Sequence, residues 1–151
     1  RRQRQMCIRD SYYTVPLYQA DVKREGHDLT VFTYGLCVNY SIQAADALAD
    51  EGIDVEVVDL RTVYPLDKET IIERAKHTGK ILLITEDNLE GSVMSEVAAI
   101  IAENCLFDLD APIMRLAGPD VPSMPFSPPL EDEFMINPDK IKNKMRELAE
   151  F

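Results

Sequence analysis

A chain of 151 residues with 46% hydrophobic content is long enough for one compact domain with a real core. Its net charge of −11, from 27 acidic and 16 basic residues, repels phosphate backbones and argues against a nucleic-acid partner. No apolar run reaches the roughly 18 residues of a membrane span, and three cysteines at unrelated spacings form neither a metal site nor a disulfide framework, which points to a reduced, cytoplasmic setting.

Residues 1–11 read RRQRQMCIRDS, basic and without apolar period. Residues 5–11 are also what the string CAG ATG TGT ATA AGA GAC AG begins to encode, a transposon-end adapter, so this segment is expected to be non-native and outside the fold. Setting aside its four arginines and one aspartate leaves −14 on the remainder. Residues 12–28 are extended and read as a lead-in from a preceding domain, and the domain proper is expected over 29–151.

From there strands and helices alternate. Residues 29–34 (LTVFTY) are apolar, β-branched and aromatic, as a buried strand requires. Val38, Ile42, Ala45, Leu48 and Ala49 then recur at helical spacing, with Gly52 as C-cap. Residues 55–60 (VEVVDL) form the next strand. Asp67 caps a helix running to about His77, closed by Gly79. Residues 81–85 (ILLIT) are a third strand, followed by a helix from Gly91 and Ser92 to Cys105. Residues 112–117 are a fourth strand, residues 118–129 a proline-rich loop, and Asn137 with Pro138 opens a last helix. The pattern predicts a three-layer α/β/α fold around a mostly parallel, doubly wound sheet of about five strands.

Ligands of such a sheet bind beyond the carboxyl ends of its strands. The residues there are Gly35 and Cys37 after the first strand and Arg61 after the second. Glu86, Asp87, Gly91 and Ser92 follow the third, and Asp120, Pro122 and Phe126 the fourth. Arg61 either grips a carboxylate or phosphate or pairs with an acidic neighbour. Cys37 near a helix start is either a low-pKa nucleophile or a buried thiol. Glu86 and Asp87 either bind a metal or shape the turn into the next helix. Gly91 and Ser92 could hold a phosphate, but the full GxGxxG and P-loop patterns are absent. His27 and His77 read as solvated surface residues. No complete catalytic, cofactor or metal constellation emerges. Two classes stay open: a flavodoxin-like small-molecule binder, and an assembly and docking domain of a larger enzyme.

Four segments carry a resemblance: VKREG (22–26), DLRTVYPLD (59–67), TEDNLEGSVMSEVAAIIAENCLFDLDAPI (85–113) and RLAGPDVPSMPF (115–126). They resemble the transketolase C-terminal domain family, as found at the end of 2-oxoacid dehydrogenase beta subunits. The wording of 85–97 and the ending MRELAEF are most similar to bacterial branched-chain (2-oxoisovalerate) members. Pyruvate and acetoin dehydrogenase beta subunits share the framework. The resemblance implies an alpha subunit and a second beta subunit as partners. It implies thiamine diphosphate and magnesium, held by parts absent from this fragment, and acyl transfer to lipoamide. The isolated fragment is then expected to be inactive, with no catalytic or cofactor-binding residue of its own. Its implied work is assembly and docking to the subunit-binding domain of the lipoamide acyltransferase. Phe151, as the expected natural C-terminus, and Asp120 are the expected contacts, the alternative for Asp120 being a local turn. Many relatives carry a histidine at the start of the loop after the third strand, where this chain has Thr85, Glu86 and Asp87.

Overall fold

The computed structural model describes residues 13–151. The elements are β1 (Asp21–Arg24), β2 (Leu29–Thr33), α1 (Leu36–Ala49), β3 (Val55–Asp59), α2 (Lys68–Thr78) and β4 (Ile81–Asn88). They continue with α3 (Val93–Cys105), a 3-10 turn (Leu106–Asp108), β5 (Met114–Gly118), α4 (Pro128–Phe134) and α5 (Pro138–Ala149). The five strands stand in the order β1-β3-β2-β4-β5. The inner pairs β2/β3, β2/β4 and β4/β5 are parallel, and β1 lies antiparallel on β3.

Alternate residues of the strands face opposite layers, because side chains on a strand point to opposite sides. Leu29, Val31, Val55, Val57, Leu82 and Ile84 pack against α1 and α5. Phe32, Val58, Ile81 and Leu83 pack against α2 and α3. Both faces are thus covered, which is why the first half of β4 (ILLI) carries an unbroken apolar run. The caps agree with the residue types. Asp67 accepts the Thr70 N–H at 3.1 Å at the head of α2, and Asn137 accepts that of Lys140 at 2.9 Å at the head of α5. Gly79, at φ +68, ends α2 in the left-handed conformation.

Four expectations need correction. The lead-in is not merely a tether: residues 21–24 supply an edge strand. Arg24 fastens it, reaching the Val55 carbonyl at 2.5 Å, Asp54 at 3.1 Å and Asp46 at 3.3 Å. Gly26 lies so close to the Val55–Glu56 backbone that a Cβ there would stand 2.3 Å from the Val55 carbonyl carbon. The third expected strand does not stop at Thr85: β4 runs on through Glu86 and Asp87 to Asn88, which pairs with Gly118 past an irregularity in register. Helix α1 begins at Leu36, directly after Gly35 at φ +64. The proline-rich stretch leads into a helix, α4, that periodicity did not suggest. Residues 1–11, expected to be non-native, lie outside the described residues.

Candidate functional site

The order of the strands sets a reversal between β2 and β4, since α1 carries the chain one way from β2 and α2 brings it back. At the carboxyl ends of those two strands lies a cleft of about 480 Å³ lined by Tyr34, Gly35, Leu36, Thr85, Glu86 and Asp87. Its polar groups are largely engaged with one another. The Tyr34 and Thr85 hydroxyls are 2.9 Å apart, Asp87 N–H donates to Thr85 Oγ1 at 3.2 Å, and Asn88 N–H donates to the Asp87 carboxylate at 2.8 Å. Glu86 and Asp87 are exposed and shape the end of a strand. Cys37 points inward beneath them, fully buried, its thiol 3.9 Å from Glu86 Oε1. Burial, aided by the Glu86 charge, pushes that thiol up to about 12. It is therefore a core residue and no nucleophile.

Arg61 was the sharpest residue of the sequence, and the structure gives it a partner. It sits at φ +54, its N–H on the Asp59 carboxylate at 2.9 Å and its Nη2 on Asp21 Oδ2 at 2.5 Å. The Lys23 hydrogen bond, with Arg61 beside it, holds the Asp21 carboxyl below its ordinary value. Arg61 is thus a clamp on the lead-in strand. The cleft of about 500 Å³ beside it is walled by the lead-in itself, through Val15, Pro16 and Leu17.

Gly91 (φ +72) and Ser92 open α3, but the Ser92 side chain is buried and makes no capping hydrogen bond, so no hydroxyl is displayed to a phosphate. Beyond β5 lies an apolar groove of about 490 Å³ between Leu116, Ala117, Val121, Leu130, Phe134 and Ile136. Asp120 is exposed on its rim, at the centre of a tight turn closed by Val121 N–H on the Pro119 carbonyl at 3.0 Å. Pro122 is exposed too, and Phe126 is 97% exposed. Helix α4, which builds the groove, was missed. Its signal was there in Ser127 followed by Pro128, Pro129 and an acidic first turn.

The two expected contacts Asp120 and Phe151 do not come together. Asp120 follows the carboxyl end of β5, whereas α5 runs back along the sheet. Its last turn is held by Lys80 Nζ on the Ala149 carbonyl at 3.0 Å, just ahead of β4. Phe151, 64% exposed, therefore stands at the amino edge. A strand of five residues separates the two edges by roughly 17 Å.

The amino edge also holds what the sequence reading overlooked. Glu56 is 0% exposed. Its carboxylate accepts from Thr30 Oγ1 at 2.9 Å and Arg74 Nη1 at 3.1 Å, with His77 Nδ1 at 3.8 Å. Burial drives its pKa above the ordinary glutamate value, against the pull of Thr30 and Arg74. His27 meets His77 edge to face, with ring centroids 5.2 Å apart, and both rings are exposed as expected. A buried acid in an otherwise apolar strand leaves no trace in periodicity.

Among the described residues no three histidine, cysteine, aspartate or glutamate side chains gather to hold a metal. No described helix is long and apolar enough to cross a membrane. The residues at either edge do not fit a diphosphate with its magnesium: the hydroxyls are internally paired, and Arg61 and Arg74 are taken by carboxylates.

Comparison with known proteins agrees with this geometry. The model of the family "Transketolase, C-terminal domain" matches residues 18–141, which include β1. Over 139 residues the chain is 68% identical to the 2-oxoisovalerate dehydrogenase subunit beta of Bacillus subtilis (strain 168), covering 92% of this chain and 42% of that protein. Two other proteins of that organism are more distant. The acetoin:2,6-dichlorophenolindophenol oxidoreductase subunit beta is 42% identical, with 93% of this chain and 41% of that protein covered. The pyruvate dehydrogenase E1 component subunit beta is 40% identical, with 95% and 44% covered. The chain thus spans about two fifths of the length of these curated relatives. A solved split-gene transketolase, described as an inactive beta4 tetramer, has the same fold, with a TM-score of 0.77 over 91% of this chain and 43% of that one at 24% identity. The alternating strands, the reversal between β2 and β4 and the matched residues agree, and the chain belongs to the transketolase C-terminal domain family.

Proposed function

We propose that this chain is the C-terminal assembly and docking domain of the beta subunit of a cytoplasmic branched-chain 2-oxoacid dehydrogenase. In the whole enzyme, with alpha subunits and a second beta subunit, thiamine diphosphate and magnesium supply the oxidative decarboxylation, and the acyl group passes to lipoamide on the acyltransferase. The observation that carries the branched-chain reading is the margin of 68% identity over 42% and 40% within one organism. The observation that favours docking over chemistry is that neither sheet edge assembles a reacting group: Cys37 is buried and Arg61 is closed by Asp21. The flavodoxin-like alternative loses its main support with Arg61. Of the two expected contacts, Phe151 at the amino edge suits the acyltransferase's subunit-binding domain. Asp120, with Glu86, Asp87, Pro122 and Phe126 at the carboxyl edge, faces the rest of the beta subunit or its neighbour.

Two measurements test this. Titration of the isolated chain with thiamine diphosphate and magnesium in a calorimeter should give no saturable heat; micromolar binding would place the cofactor site within it. Residues 13–151, exchanged for the matching part of the Bacillus subtilis beta subunit and co-expressed with its alpha subunit, should yield an assembled enzyme that decarboxylates 2-oxoisovalerate. Failure to assemble, with the unexchanged beta subunit assembling in parallel, would reject the reading.

A further inference from the structure

The buried carboxyl of Glu56 keeps more negative company than its one guanidinium can offset. Arg74 Nη1 is divided between Glu56 Oε2 at 3.1 Å and Glu25 Oε2 at 3.4 Å, and Arg74 Nη2 meets Glu73 Oε1 at 3.4 Å. One positive charge thus serves three carboxylates. Glu25 and Glu73 are exposed and have water to help them, whereas Glu56 has none. A buried charge is costly unless its partners are complete. The group that can complete them is His77, whose Nδ1 stands 3.8 Å from the same Glu56 oxygen. Imidazole ordinarily changes charge between pH 5 and 8. The His77 side chain is 35% exposed, so solvent can deliver and remove the proton.

The contact joins three parts of the chain. Glu56 lies at the start of β3, His77 in the last turn of α2, and His27, edge to face on the His77 ring, in the turn between β1 and β2. That turn is tied to the sheet by the His27 and Asp28 N–H groups, which both donate to the Asp54 carbonyl, at 3.1 and 2.9 Å. Thr30 Oγ1 is 2.9 Å from Glu56 Oε1 and 2.9 Å from Thr78 Oγ1, so the second carboxylate oxygen is fixed independently of the histidine. The charged neighbours of His77 come from every side. Glu56 belongs to β3, Glu73 and Arg74 to α2 itself, and Glu25 to the β1–β2 turn. The turn after α3 brings Asp108, which is paired with Lys76 at 3.2 Å, and Asp110, which lies against Gly79. Helix α3, packed on α2, carries Glu96 and Glu103, both exposed.

We propose that His77 is a protonation-dependent latch on Glu56 and that, through His27, it fastens the β1–β2 turn to the end of α2. With the proton on, an imidazolium and a guanidinium face the buried carboxylate together and the turn is held. With the proton off, an ionised Glu56 has only the guanidinium on which Glu25 and Glu73 also draw. The pair exists only in the folded chain, so its attraction supports the fold while His77 is charged and is lost as pH rises through the histidine range. Glu56 acts in the same sense: burial raises its carboxyl above the ordinary value, and its contribution also declines as pH climbs. The lead-in is therefore gripped in mild acid and loosened toward alkaline pH.

Amide hydrogen exchange of the chain, read by NMR at pH 5.5 and pH 8 and corrected for the intrinsic rate at each pH, tests this. Protection of the His27 and Asp28 N–H groups should be about tenfold lower at pH 8 than at pH 5.5, the equivalent of one pH unit of coupling. His77→Asn should abolish the difference, with protection low at both pH values. Glu56→Gln should abolish it in the other direction, with protection high at both, because a neutral amide needs no counter-charge. His27→Ala should weaken the pH dependence at Asp28, since the turn then has no ring against His77. Equal protection at the two pH values in the wild type would overturn the proposal. So would a pH dependence that persists in His77→Asn, which would place the responsible proton on another group.

Discussion

Glu56 is the residue whose chemistry is most constrained by its place. It is a carboxyl on the dry α2/α3 face of β3, raised above its ordinary value of 4.5 chiefly by burial. The folded chain therefore holds this proton more tightly than the unfolded chain does, and the contribution to stability is largest in acid and declines as pH climbs above 4.5. In Glu56→Gln that decline disappears. Denaturant titrations of both proteins from pH 4 to 7 should show the wild type losing ground to the variant as pH rises. A difference that stays constant with pH would mean that burial does not oppose the ionisation. At Cys37 the expectation is chemical silence. With its thiol at about 12 and no exposed surface, it should resist iodoacetamide at pH 8 in the native state and react only on unfolding, as read by intact mass. Ile84 makes the corresponding point for the core. It lies fully buried in β4 between α1 and α5, and Ile84→Ala should lower stability by roughly 2–5 kcal/mol in a denaturant melt.

Among the elements, β1 is the one that changes the description of the chain. The sequence shows residues 12–28 only as an extended lead-in, because propensity carries no information on long-range ties. Arg24 and the flat approach of Gly26 to β3 are tertiary facts. Removing residues 1–11 should leave the melting temperature unchanged, whereas removing 1–24 should lower it clearly by stripping Arg24 from Val55, Asp54 and Asp46. Gly26→Ala tests the same junction with one methyl group. It should cost about 1–3 kcal/mol, because the obstacle is backbone that cannot rotate away. The other elements were legible for physical reasons. Strands buried on both faces are mostly apolar, and Asp67, Gly79, Asn137 and Pro138 punctuate helices by capping chemistry. Helix α4 was hidden because its seven residues, PPLEDEF, are too few to show a period and have no buried member. At the candidate site the residue types were legible but their partners were not. Arg61 was correctly placed at a strand end, yet Asp21, forty residues earlier, decides what it does.

For the whole molecule, the two edges of the sheet differ in character. The carboxyl edge carries two small polar clefts and the apolar groove of α4, close to where the lead-in enters. The amino edge carries the exposed Phe107 and Phe151 and the end of α5. Docking at one edge should then leave the other free, so a bound subunit-binding domain should not alter the reactivity of the alpha–beta assembly toward 2-oxoacids in solution. A measured change in turnover on adding that domain alone would show the edges to be coupled.

The antiparallel placement of β1 also sets how the domain carries tension. The chain comes in at the carboxyl edge, where Asp21 faces Asp59, and the end of α5 emerges by Lys80 at the amino edge. A load applied between these two points pulls along the strands. The hydrogen bonds between β1 and β3 are then strained in shear, all together, rather than peeled one after another. Pulled instead across the sheet at β1, the same bonds would open singly, starting at the register shift between Val22 and Arg24. The domain is thereby stiff along the line that joins these two points and yielding across it.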